Sequence, residues 1–259
     1  MKSVSYEEQN ELTRIAVRAG QLLLQHGAES RIVEQTTQRI GLALGAESIE
    51  IAVSSDAIVI TSRFNGHCVT TTRRCYDRGI NMYMVCEVQR ICVMLEKQLL
   101  DEKQVKERLN RLVPFKYNRW AVVLMVAFSC SSFSHFFGGD LPVYITTFFA
   151  AAGAMILRQE LGHRQHNPFV NFAASAFLGT SIASIGVVTQ FGEDPKIAMA
   201  ACVLLLVPGF PLINAVSDVL KGHINTGIAR WVFATLLTIS ASIGIVASMV
   251  VTGVWSWVV

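Results

Sequence analysis

The sequence predicts an α+β N-terminal cytoplasmic domain followed by an all-α membrane domain of five transmembrane helices, the fourth broken at Pro208-Gly209-Phe210-Pro211. Three observations carry this. Hydrophobic residues make up 52% of the 259 and mean hydropathy is +0.43, the balance of an integral membrane protein. Charge is uneven, with 16 Lys/Arg and 14 Asp/Glu in residues 1–118 against 6 and 5 in residues 119–259. The hydrophobic period also changes along the front part from helical to alternating and back before long apolar runs begin.

From Tyr6 to His26, Leu12, Ile15, Ala19, Leu22 and Leu23 recur at helical spacing, and Gly27 stops the helix. Residues 29–44 repeat the pattern through Val33, Ile40 and Leu44. Ile49, Ile51 and Val53 then alternate with Glu50, Ala52 and Ser54, the mark of a half-buried strand. Two further strands, 57–62 and 68–73, flank Asn65-Gly66, a strong hairpin signal, so a three-stranded antiparallel sheet is expected. A helix over 81–100 follows, with a stripe of Val85, Val88, Cys92, Leu95 and Leu99. Asp101 reads as the cap of a last charged helix carrying Val105, Leu109 and Leu112. The boundaries are 1–115 for the cytoplasmic domain and 116–259 for the transmembrane domain.

The expected spans are 119–137, 141–157, 169–191, 197–220 and 228–253, with Trp255 and Trp257 suited to a headgroup belt. Lys116, Arg119, Arg158, Arg164, Lys221 and Arg230 fall on one side and Lys196 on the other. The positive-inside rule puts that richer side, with the N-terminus, in the cytoplasm and the C-terminus in the periplasm. No secretory signal is expected, since the start carries Glu7 and Glu8 and its first apolar run is only Leu22-Leu23-Leu24. Small residues at four-residue spacing, Ser175, Gly179 and Ala183 on one span and Ser240, Gly244, Ser248 and Thr252 on another, fit close helix packing within the chain or against a second subunit.

The six cysteines show no C-x-x-C pairing and the six histidines no H-E-x-x-H, so neither metal nor cofactor is expected. Walker, nucleophile-elbow and dinucleotide glycine patterns are missing too, which argues against an ATP-driven step and lowers the standing of an enzyme. Charges of both signs are mixed in the front part, so no nucleic-acid surface is expected. His26, Glu29, Asp56 and Asp77 are the polar residues of that domain that could share a pocket, although each also suits a cap or turn.

The broken helix is where function is expected. Ile197 to Val207 would be about 16 Å long, against roughly 30 Å of hydrocarbon, so the break falls inside the bilayer. Pro208 and Pro211 remove two N–H donors and Gly209 loosens the backbone, and such backbone is tolerated only inside protein or beside a watery cavity. Discontinuous helices of this kind point to transport sites, and the second half-helix would aim its positive end at an anion. Pro208, Gly209, Phe210, Pro211, Asn214 and Ser217 are the expected substrate-binding residues. Asp218, one turn beyond Asn214, would repel a carboxylate when ionised and admit it when protonated, so it is the expected proton-coupling residue. Lys221 could instead neutralise it as a static ion pair.

Val207-Pro208-Gly209-Phe210-Pro211 with Asn214, His26-Gly27-Ala28-Glu29-Ser30 and Asp77-Arg78-Gly79-Ile80-Asn81-Met82 together resemble the threonine/serine exporter (ThrE) family, and more closely the larger subunit of its split form. The resemblance covers essentially the whole chain. It implies an inner-membrane exporter of small carboxylic metabolites, succinate for the split pair and threonine or serine for fused members. It also implies a smaller, YjjB-like membrane subunit that supplies the other half, without which this chain would not transport. Self-association is a further partner considered. The runners-up are a threonine/serine exporter subunit, a membrane-tethered hydrolase with its site in the front domain, and a regulatory or scaffold subunit.

Overall fold

The computed structural model describes residues 5–257 and divides into two compact units, residues 1–116 with 210–231, and residues 117–209 with 232–259.

The first unit begins with α1 (Tyr6–Gln25) and α2 (Ser30–Ala43), continues through β1 (Ser48–Val53), β2 (Ala57–Phe64) and β3 (His67–Arg74), and adds α3 (Met82–Glu96) and α4 (Glu102–Arg111). Ser5 caps α1 by accepting from the Glu8 amide, Asn81 caps α3 through Met84, and Asp101 forms a capping box with Gln104 on α4. The expected sheet is present, antiparallel in the order β1-β2-β3, with Phe64 opposite His67. Its tight turn holds Asn65 at φ 47° and Gly66 at φ 78°, the left-handed pair that a two-residue hairpin requires. Leu23, Val33, Ile40, Ile58, Ile60, Val88 and Val105 form its dry core. The stripe expected on α3 holds as far as Leu95. The helix stops at Glu96, Gln98 takes φ 56°, Leu99 turns outward, and Leu100 enters the core in its place.

The second unit contains α5 (Arg119–Phe136), α6 (Leu141–His163), α7 (Pro168–Val188) and α8 (Lys196–Cys202), then a 3-10 turn at Leu204–Leu206. Pro142 and Pro168 sit in the first turns of α6 and α7, where no N–H is needed. Asp140 caps α6 at Val143, and its other oxygen accepts from the Glu193 amide 3.0 Å away, tying the loop after α7 to the start of α6. The chain goes on through α9 (Gly209–Leu220) and α10 (Ile224–Val251).

Among the described residues three helices, α6, α7 and α10, are long and apolar enough to cross a membrane, and a fourth span results if Lys196–Leu206 and Gly209–Leu220 count as one broken segment. The remaining expected span, α5, opens with Arg119 and carries four serines and His135, and its apolar content leaves it outside that set. The position of the break needs correction. Regular helix is lost from Val203, the backbone turns extended at Val207, and Gly209, Phe210 and Pro211 already belong to α9. Pro211 is accommodated because the amides of a first turn have no helical acceptor to lose.

The small-residue ladders serve packing within the second unit. A Cβ on Gly179 would lie 3.0 Å from Ala154 Cβ, and the Ser248 hydroxyl lies 2.8 Å from that of Ser181. Trp255 is exposed, while the side chain of Trp257 lies outside the described residues.

Candidate functional site

Two of the three segments that carry the family resemblance, residues 26–30 and 77–82, meet in the first unit at the turn between α1 and α2, and Asn214 joins them there. α1 is capped at its C-terminal end by His26, whose ring Nδ1 lies 2.8 Å from the Leu22 carbonyl oxygen, and Gly27 takes φ 81°, a conformation that favours glycine. A side chain at Gly27 would also press on Ile80. The amides of Arg78 and Asn81 donate to the carbonyls of Gln25 and His26 at 3.0 and 3.1 Å, so the Asp77–Met82 segment is stitched to the turn by its backbone. Asp77 folds back on the Gly79 amide.

The other side of the turn meets α9. The buried residues of this helix are Asn214, Ala215 and Asp218, while Ile213, Val216, Val219 and Leu220 are exposed. A helix with its polar side chains inward and its apolar ones outward is held by hydrogen bonds rather than by a dry core. Asn214 donates to the Gly27 carbonyl at 2.8 Å. Asp218, fully buried, accepts from the Ser30 amide and the Ser30 hydroxyl, each at 2.9 Å. The Arg230 guanidinium, from the first turns of α10, donates to Asp218 at 2.8 Å and to the Ala28 carbonyl at 2.8 Å. α2 starts at Ser30 without a side-chain cap of its own, so the Asp218 carboxylate supplies the missing acceptor and meets the positive end of that helix. The α9–α10 connection is tight enough to bring this about: Gly222 sits at φ 91°, and a Cβ on Gly227 would lie 2.8 Å from the Ala215 carbonyl oxygen.

Lys221 does not neutralise Asp218. It forms an ion pair with Glu29, while Asp218 takes Arg230. Lys221, helped by Ser217, holds the Glu29 carboxyl below its ordinary value. A carboxyl depressed by folding stabilises above its unfolded value, and that share is lost as pH falls through the folded value. Acidification below about 4.5 should therefore loosen this contact, and Glu29→Gln should flatten the acid limb of a melting-temperature profile measured from pH 7 to 3. The pair is partly solvated, so the change should be on the order of 1 kcal/mol or less.

The expected pocket of His26, Glu29, Asp56 and Asp77 is not assembled as a group. Glu29 is engaged by Lys221, Asp77 is an exposed turn residue, and Asp56 stands beside Cys75, whose thiol is pushed up to about 11 mainly by burial. Open hollows among the described residues include two away from this turn. One of about 370 Å³ in the first unit is lined by Leu12, Leu44, Leu95 and the acidic Glu8, Asp101 and Glu102. Another of about 300 Å³, nearly all apolar, lies between α6 and α7. Neither is lined by residues 208–218. Pro208 is buried, Phe210 is exposed, and Gly209 and Pro211 are half-buried. Among the described residues no cluster suited to a metal ion occurs.

Ser30 and Arg230 are the partners that sequence reasoning did not assign. Ser30 lies 188 positions from Asp218, and no periodicity connects them. Arg230 is read from sequence only as a cytoplasmic-side charge.

An α+β unit followed by several helices able to cross a bilayer defines a multi-pass membrane protein, and an interrupted helix among them is a feature that secondary transporters share. Comparison with known proteins makes this specific: the chain belongs to the ThrE family, described as "Putative threonine/serine exporter", whose pattern matches residues 14–252. It is 50% identical over 251 residues to the Klebsiella aerogenes protein named "Probable succinate transporter subunit YjjP", covering 96% of this chain and 97% of that one. The Escherichia coli K12 protein of the same name is 47% identical over 97% of this chain and 99% of its own length. A Mycobacterium tuberculosis protein named "Probable threonine/serine exporter" is 21% identical over 91% of this chain but only 45% of its own length. No solved structure matches. The chain is thus an exporter-family transporter subunit, and no enzyme family is indicated.

Proposed function

We propose that the chain is the larger subunit of a two-component inner-membrane exporter that moves succinate or a similar C4-dicarboxylate outward together with a smaller membrane partner. The observation that carries this is its near-half identity, end to end, with two proteins named as succinate transporter subunits. The word subunit in the names of both relatives supports a partner.

In this reading α5 is the remaining span, the N-terminus lies in the cytoplasm and the C-terminus in the periplasm, as the distribution of Lys and Arg favours. The substrate passes the helix break at Pro208, Gly209, Phe210 and Pro211, with Asn214 and Ser217 one and two turns further on. Asp218 couples the passage to protons. While ionised it holds Ser30 and Arg230; protonation removes the charge that Arg230 and the α2 terminus complement, and α9 is released. Asn214 and Ser217 are engaged with Gly27 and Glu29, so they become available to a carboxylate when that release occurs.

The test is efflux of labelled succinate and threonine from cells with and without this chain and its partner. Succinate efflux that depends on both supports the reading, whereas threonine efflux alone would favour the amino-acid exporter. Asp218→Asn, at unchanged assembly, is expected to lower export and flatten its dependence on pH. Wild-type export with a wild-type pH profile would remove Asp218 from the mechanism.

A further inference from the structure

Arg158 is a cation in the second unit that no structural role described above uses. It stands on α6 five residues before the end of that helix, where an arginine would ordinarily extend to the headgroups. Instead its guanidinium turns into the protein. Nη1 donates to the Leu205 carbonyl at 2.9 Å, and the guanidinium carbon lies 4.7 Å from the centre of the buried Phe172 ring. Among the described residues the ion pairs near this end of α6 are Arg119 with Glu160 and Arg164 with Glu160, and Arg158 joins neither.

The carbonyl it meets is a product of the helix break. In an unbroken helix Leu205 would receive the Gly209 amide, but that amide turns to Val207 at 2.8 Å. A neutral acceptor and an aromatic face satisfy a guanidinium only in part. It has five N–H donors in a planar fork shaped for a carboxylate, and a partly buried cation without an anion is costly. Asn171 braces the site, donating to the Arg158 carbonyl at 3.1 Å while accepting from Ser175 at 3.2 Å.

We infer that Arg158 is the group that recognises a carboxylate of the transported substrate, held open for it beside the broken helix by Leu205 and Phe172. This rests on the exporter reading and identifies a substrate-binding residue outside Pro208–Asp218. The bound anion pairs with the guanidinium as a fork and leaves when the path opens on the other side. No covalent step is involved.

The experiment uses the full chain with its membrane partner, reconstituted in vesicles, and compares wild type, Arg158→Gln, Arg158→Lys and the control Arg164→Gln. Assembly is read by co-purification, and KM and maximal rate by labelled succinate flux. Arg158→Gln should raise KM about tenfold or more, the loss of one bidentate charged contact, while Arg164→Gln should not. Arg158→Lys keeps a charge and a donor for Leu205 but loses the fork, so an intermediate KM is expected. A purely structural bond to Leu205 would give Arg158→Lys the wild-type KM, and that result overturns the assignment even if Arg158→Gln fails to assemble. If wild type does not move succinate, the exporter reading for succinate fails. The same KM series with threonine and serine then decides the carboxylate role, and no flux of any carboxylate overturns both.

Discussion

Arg230→Ala is expected to destabilise the first unit by about 3–5 kcal/mol, because it leaves a buried aspartate without its counter-charge. Asp218 is fully buried and the Arg230 side chain is only 16% exposed, and the guanidinium also satisfies the Ala28 carbonyl. Removing it takes the partner from the Ala28 carbonyl and the counter-charge from Asp218, which keeps only the Ser30 amide and hydroxyl. At about 2–4 °C per kcal/mol the detergent-solubilised chain should melt on the order of 10 °C lower. Arg230→Lys should recover part of the loss, since lysine restores charge but not the two-pronged geometry. Replacing Asp218 and Arg230 together with apolar residues should cost less than Arg230→Ala alone, as no unpaired charge remains. A wild-type melt for Arg230→Ala would mean that the contact contributes nothing to the fold.

Gly244→Ala is expected to disrupt the second unit more than any other single-methyl change. A Cβ there would fall on the Ala173 carbonyl oxygen, far inside contact distance, and within 3.0 Å of the Ala176 Cβ. Both obstacles belong to α7, whose backbone cannot yield as the end of a flexible side chain can. α7 and α10 must therefore separate, and overpacking of this kind costs typically about 1–3 kcal/mol. The shift also stretches the Ser181–Ser248 hydrogen bond, which joins the same two helices one turn away. Lower yield and a lower melting temperature for Gly244→Ala, set against a small effect for Gly162→Ala, whose added Cβ would meet its nearest neighbour only at an ordinary 3.6 Å, would support the packing. Equal behaviour of the two variants would contradict it.

Local chemistry made much of the soluble fold legible. Asn65-Gly66 favours left-handed backbone at two adjacent positions, so the hairpin could be read before any tertiary contact was known. The apolar spacing of α1 and α2 likewise tracks their buried faces. Periodicity failed at Leu99, where it continues past the true helix end, because Gln98 adopts a positive φ that no apolar pattern encodes. The proline pair correctly marked an interrupted helix but misplaced the interruption. Pro211 costs nothing in a first turn, so the break lies on the N-terminal side of Gly209.

The sequence by itself determined the two kinds of material in the chain, the strands and helices of the charged part, the apolar helices after it and the family to which it belongs. Each follows from a signal that repeats within a few residues or is carried by a contiguous motif. Only the tertiary structure decided that Asp218 pairs with Arg230 rather than Lys221, that Ser30 and Asp218 form one site, and that Arg158 meets the Leu205 carbonyl. These partners lie between 12 and 188 positions apart, and which charge reaches which depends on where folded elements place them. Spacing along the chain holds no record of that placement.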